Sequence, residues 1–266
     1  MNKLLWIFVT ALFALLTGCA GSQSSWETEE VAEASDRLMA DMVEAAWSVE
    51  GAAGGESQIR IEIRKKDGTP VEAFDLNHEK LLHLIVASED LSYFAHIHPE
   101  HIGGGVFEVA NVFPAGGKYR MIADFKPSGG DAMTKLTWVD VEGEPLPAAD
   151  VIPSETWVDV AAGKRVALRA EGLVEDEAAK LTFSLEDEAT GAPIADLEPY
   201  LGAIGHVVVL SEDGERYVHV HAEADQGSGP DAMFETTFPK AGLYKIWGQF
   251  QHRGDVFTVS YVVEVQ

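Results

Sequence analysis

Two stretches of this chain repeat one another at a constant offset of 123 residues, and the repeat is anchored on histidine. The first runs from His83 through Ser88-Glu89-Asp90 to His96 and His98, the second from His206 through Ser211-Glu212-Asp213 to His219 and His221. Downstream, Phe113-Pro114 to Tyr119 is matched by Phe238-Pro239 to Tyr244. Self-similarity of this kind means two copies of one domain. Whatever structure one copy adopts, the other must adopt too. Six of the nine histidines fall at matched positions.

The elements of each copy read as strands. Ile59, Ile61 and Ile63 alternate with Arg60 and Glu62, and a turn follows from Lys66 to Pro70. In the second copy Val166 to Ala170 and Lys180 to Glu186 are β-rich, and the turn from Glu188 to Pro193 corresponds to the earlier one. Short strands punctuated by regular turns predict an all-β fold, two tandem immunoglobulin-like β-sandwich domains. We place them at 57–145 and 154–266, with the proline-rich, acidic stretch from Glu142 to Pro153 as linker. Leu38, Met42 and Ala45 recur at helical spacing, which predicts a short helix within residues 34–47. The Phe-Pro-x-x-Gly-x-Tyr segments predict a turn followed by a strand opened by Tyr119 or Tyr244, like the tyrosine corner of sandwich domains.

The start of the chain reads as a targeting segment. Lys3 precedes an apolar run from Leu4 to Leu16, shorter than the ~20 residues a spanning helix needs. Leu16-Thr17-Gly18-Cys19 then has the form of a lipobox. Residues 1–18 are thus expected to be a lipoprotein signal. Cys19 would be the acylated anchor in the lipid bilayer, and 19–56 a tether. This places the protein in the cell envelope, facing the periplasm or the exterior, with a membrane protein or metal-transport component as a candidate partner. Cys19 is the only cysteine, so neither a disulfide nor a thiolate ligand is expected. The net charge of −25 repels nucleic acid, which is excluded as a partner.

The histidines themselves suggest a hairpin. With a four-residue loop at 88–91, His83 falls opposite His96; with the loop at 211–214, His206 falls opposite His219. His98 and His221 lie two residues on, on the same face. Opposed Cβ atoms stand ~4.5–5.5 Å apart and diagonal ones ~7–8 Å. Each domain would then carry its own three-imidazole patch, with His83, His96 and His98 as ligands in one and His206, His219 and His221 in the other. Imidazole suits copper, zinc and nickel, and copper stands highest in the stability order. Met121, Met133 and Met233 are candidate soft ligands, and His101 and His252 candidate additions to the shell.

A metal-free alternative stands beside this. The histidine face also carries Ile85 and Phe94, or Val208 and Tyr217, and the opposite face carries Leu84, Val86 and Ile97. A strand apolar on both faces is buried, and a buried imidazole can serve simply as a hydrogen-bonding group in a structural or interaction module of a membrane complex. The chain has no Gly-x-Ser-x-Gly, His-Glu-x-x-His, phosphate loop or dinucleotide fingerprint, so an enzyme is not expected.

The stretches His83 to Pro99, Phe113 to Tyr119 and Pro199 to His206 together resemble bacterial exported proteins with YtkA-like and FixH-like β-sandwich domains. The resemblance covers residues 57–266 and implies an association with copper handling, without implying a reaction. Ala222 stands where the first copy has Pro99, a departure between the two copies.

Overall fold

The computed structural model describes residues 38–266; the expected signal, Cys19 and the tether as far as residue 37 lie outside the described residues. The strands, in chain order, are β1 (Val43–Glu50), β2 (Glu56–Lys65), β3 (Phe74–Asp75), β4 (Leu82–Ser88), β5 (Phe94–Ile97), β6 (Glu100–Gly103), β7 (Val106–Val112), β8 (Gly117–Pro127) and β9 (Met133–Val141). There follow β10 (Val158–Ala161), β11 (Lys164–Glu171), β12 (Ala178–Asp187), β13 (His206–Ser211), β14 (Tyr217–Val218), β15 (His221–Ala222), β16 (Asp231–Thr237), β17 (Gly242–His252) and β18 (Asp255–Val265). Among the described residues no helix is long and apolar enough to cross a membrane.

The expected helix over 34–47 is corrected. After one 3-10 turn at Ala40–Met42 the chain enters β1, which pairs antiparallel with β2 from Val43↔Lys65 to Glu50↔Gln58. Helical spacing at Leu38, Met42 and Ala45 coexists with strict alternation of Val43, Ala45, Trp47 and Val49. The alternation prevails because it lays those four side chains on the same core as Ile59, Ile61 and Ile63. Residues 38–56 therefore belong to the first sandwich, not to a tether.

Eight strands of each half match one for one, and each half adds one of its own, β3 in the first and β10 in the second. In the first, one sheet runs β1-β2-β7-β6; the other runs β9-β8-β4-β5, with β3 also on β8. In the second, the orders are β11-β12-β16-β15, with β10 beyond β11, and β18-β17-β13-β14. Each sandwich fills its own core. Ile59, Ile61, Leu84, Val86, Phe107 and Phe125 pack in one, and Leu181, Phe183, Val207, Phe234, Phe250 and Tyr261 in the other. Tyr119 and Tyr244 form the expected corners, each donating its hydroxyl at 2.7 Å to a carbonyl four residues upstream, of Ala115 and Lys240.

A third apolar cluster joins the sandwiches. Ile85, Ala87 and Ile122 from β4 and β8 pack with Val208, Leu210 and Trp247 from β13 and β17, and with Leu91, Phe94 and Tyr217. These are largely the same positions of the two repeats, so the interface is nearly self-complementary. Phe94 stacks on Trp247 at 4.7 Å between centroids. Arg120 pairs with Glu215 at 3.2 Å, and Lys245 donates to the Leu91 carbonyl at 2.8 Å. The outer face of β4, apolar in the sequence, is covered by the other repeat.

Candidate metal centre

Both histidine hairpins are stapled by the Ser-Glu-Asp triplet. Asp90 Oδ1 accepts from the Ser88 hydroxyl and the Ser92 amide, while Ser88 Oγ accepts from the Tyr93 amide. Asp213, Ser211, Glu215 and Arg216 repeat the arrangement. Leu91 and Gly214, at matched positions, take left-handed conformations (φ 56° and 67°). At Gly214 a Cβ would come within 2.8 Å of the Trp138 ring, so the close approach of the repeats there requires glycine.

This stapling corrects the expected register. Ser88 closes the loop with Tyr93, and Ser211 with Arg216, one residue later than expected. His96 therefore lies opposite Ile85, not His83. A slip of two in the pairing leaves every side chain on its face. His83, His96 and His98 still converge, with ring centroids 5.0–5.2 Å apart.

In the second repeat the expected patch does not form. β14 ends at Val218, and the chain crosses early to the other sheet, where His221 pairs with Glu235 and Thr236 Oγ1 donates to the His219 carbonyl. His219 and His221 contact each other at 4.6 Å. His206 instead joins the first repeat. Its ring is 4.7 Å from that of His96 and stacks on that of His83 at 5.8 Å, with 9° between planes. His78, which sequence reasoning passed over, stands 5.9 Å from His206 and 6.1 Å from His83 on a tight turn from Asn77 to Lys80. What should have been two patches is one cluster at the sandwich interface.

Among the described residues, one group of three metal-capable side chains brings its donor atoms within 4.8 Å of one another: His83, His96 and His98. His83 Nε2 donates to the Asn77 carbonyl at 2.8 Å, which leaves Nδ1 as a bare lone pair when the ring is neutral. His96 Nδ1 lies 2.7 Å from Gln249 Oε1, and the amide nitrogen of Gln249 donates to Thr258 Oγ1 at 3.3 Å. With the amide so placed, His96 Nδ1 carries the proton and Nε2 is bare. The two bare nitrogens, His83 Nδ1 and His96 Nε2, face each other at 3.0 Å. Two nitrogens bound to one ion at ~2.0–2.1 Å each stand about 2.9–3.4 Å apart. His98 Nε2 is buried without a hydrogen-bond partner.

The electrostatics keep these rings neutral. Burial pushes His83 below the ordinary imidazole value and His96 well below it, with the His206 charge adding to the effect on His96. Burial lowers His98 to about 4 and His206 to about 3. An added proton that would make the His83–His96 pair cationic is thus disfavoured, and a neutral imidazole is the form that ligates. Asp124, across from His83 in the sheet, is pushed up to about 6 by burial.

The remaining candidates sit elsewhere. Met121 and Met133 are buried in the first core, and Met233 lies on β16 opposite Thr182. His101 stacks on Phe107, and His252 pairs with Asp196 at 3.1 Å. Gln249, the fixing group for His96, carries no histidine-like signal. It could have been found as the second-repeat counterpart of Asp124.

A family model described as Domain of unknown function (DUF8832) matches residues 38–143 and again residues 158–266, one match for each sandwich. This chain belongs to the DUF8832 family. No curated protein sequence matches this DUF8832 protein. Solved structures similar to it include invasin, a bacterial integrin-binding protein, at 13% identity over 82% of this chain and 39% of that one, with a TM-score of 0.24. MtrC from Shewanella baltica is 8% identical over 82% and 68%, with a TM-score of 0.27. Tandem immunoglobulin domains of titin are 10% identical over 84% and 96%, with a TM-score of 0.23. Scores this low carry no functional inference, and the sandwich architecture stands on the strand pairing itself.

Proposed function

We propose that this chain is a non-enzymatic metal-binding protein of the cell envelope, anchored through Cys19, and that it holds a copper ion through His83, His96 and His98. One observation carries the reading: the lone pairs of His83 Nδ1 and His96 Nε2 point at each other across 3.0 Å, beside the unpartnered Nε2 of His98. Two facing acceptors repel unless something positive lies between them, and burial disfavours the added proton that would make the pair cationic. The donor set is all imidazole, which suits Cu(II) first and Zn(II) next. The resemblance to YtkA-like and FixH-like domains supports copper as the ion.

A second reading has its own support. Turning the Gln249 amide over would let it donate to His96 Nδ1, and His96 Nε2–H would then donate to His83 Nδ1. The cluster would become a closed, metal-free hydrogen-bond chain that fixes the sandwich interface. Titration of the full-length protein with Cu(II) and Zn(II), with bound metal counted after gel filtration, separates the two. The metal reading expects tight uptake that is lost in His83→Ala and His96→Ala chains of unchanged circular dichroism. Absence of uptake by the wild-type chain would leave only the structural reading.

A further inference from the structure

The sequence places one set of three histidines in each repeat, which would mean two equivalent sites. The structure breaks that equivalence. His219 and His221 leave with the early crossover after β14, whereas His206 stays on β13 and lies against the first repeat's triad. A second contribution also crosses the interface: Gln249 of β17 hydrogen-bonds His96 Nδ1 at 2.7 Å and so determines which nitrogen of His96 is free.

We propose that the two repeats share a single metal site, in which His206 of the second repeat joins His83, His96 and His98 of the first, so that one ion per chain clamps the two sandwiches together. This rests on the metal reading above and adds to it the stoichiometry, the fourth ligand and a mechanical consequence. The triad's donor nitrogens lie within 4.8 Å of one another, and the His206 ring, though not in that set, has its centroid 4.7 Å from that of His96 and 5.8 Å from that of His83. χ2 of histidine is a broad torsion, so a ring this close can turn its nitrogens at low cost. The interface around the cluster is apolar, built from Ile85, Ile122, Val208 and Trp247, so the site is sheltered on one side. His78, in ring contact with both His83 and His206, is exposed and offers a path by which an ion could enter.

Binding energy realised only when both repeats are in place stabilises the docked arrangement by mass action. A site contained in the first repeat would not do this. The two cases differ in what removal of His206 does.

The test uses the full-length chain, Cu(II) and a chelator of known affinity in competition. The shared site predicts one Cu(II) per chain and an affinity weakened by roughly ten-fold or more in His206→Ala, since loss of even an outer-shell partner costs about that much. Pulsed electron paramagnetic resonance should count one imidazole fewer in the variant. Cu(II) should slow amide hydrogen exchange in both β4 and β13 of the wild-type chain, but not in β13 of the variant. If His206→Ala disturbs the fold, His206→Gln and the exchange measurement on the wild type serve instead. Wild-type affinity in the His206 variants, or two ions per chain, would overturn the shared site while leaving a first-repeat site intact. Failure of the wild-type chain to take up Cu(II) would remove the underlying reading itself.

Discussion

His83 and His206 hold the same position in the two repeats, and their rings stack on each other across the sandwich interface, 5.8 Å apart and within 9° of parallel. A residue and its own duplicate meet in this way only where the two copies present the same face to each other. The apolar cluster around them is likewise built from matched positions, Ile85 with Val208 and Ala87 with Leu210 among its members. Duplication thus supplied both the sandwich and the surface that docks it on its copy, and the histidines lie where that surface turns polar.

Gln249 should tune the site without ligating it. In Gln249→Glu a carboxylate accepts from His96 Nδ1–H, which makes Nε2 a stronger donor to metal. Cu(II) affinity is expected to rise, while the metal-free chain loses stability from the buried charge. In Gln249→Leu affinity should fall by about 10- to 100-fold. Chelator competition measures both, and equal affinities across the three chains would contradict this role.

The histidine cluster should make the metal-free protein acid-sensitive. Burial holds His83, His96, His98 and His206 below their unfolded value of about 6.5, with His98 near 4 and His206 near 3. As pH falls below about 6.5 the unfolded chain takes up protons that the folded chain refuses, so this stabilisation is full above about 6.5 and is lost toward the folded values. Asp124, raised to about 6, acts in the opposite sense, since its contribution is present below about 3.8 and is lost as pH rises through 6. Four histidines outweigh one acid. Tm measured by calorimetry should fall between pH 7 and pH 5, and a flat or rising Tm would count against the buried neutral cluster.

Trp247 should decide whether the sandwiches unfold together. It is 3% exposed and stacks on Phe94 of the other repeat. Trp247→Ala is expected to cost about 3–5 kcal/mol. A double-mutant cycle with Phe94→Ala should return about 0.5–1.5 kcal/mol of coupling. Urea unfolding followed by circular dichroism should show a lower midpoint and, with the interface weakened, a second transition. An unchanged curve would mean that the interface contributes little.

The tyrosine corners should be equivalent. Tyr119→Phe and Tyr244→Phe each remove one hydroxyl-to-carbonyl bond and leave the ring in place. Each is expected to cost about 1 kcal/mol, up to ~3 if the carbonyl is left without water. Denaturant midpoints measured separately for the two variants test whether both corners carry similar weight.

Much of this architecture was legible in the residues. Alternation in Ile59-Arg60-Ile61-Glu62-Ile63 marked β2, and the Phe-Pro-x-x-Gly-x-Tyr segments marked both corners. β1 was misread because its apolar residues fit two periods at once. The repeat could have resolved it, since β11 occupies the matching place beside β12. The pairing register was off by two because the Asp90 and Asp213 side chains hold the loop one residue further on, a choice made by side-chain hydrogen bonds rather than by strand propensity.

The sequence by itself determined the duplication, the β-sandwich in each half and the shared face of His83, His96 and His98, because alternation along a strand is local and has period two. Only the tertiary structure decided that the apolar outer faces cover each other, that His206 crosses to the first repeat, and that His219 and His221 do not. Those outcomes depend on where β14 ends and on how surfaces far apart in the chain fit together. The doubled histidine motif therefore yields one interface cluster, of His83, His96, His98 and His206, and leaves His219 and His221 outside it.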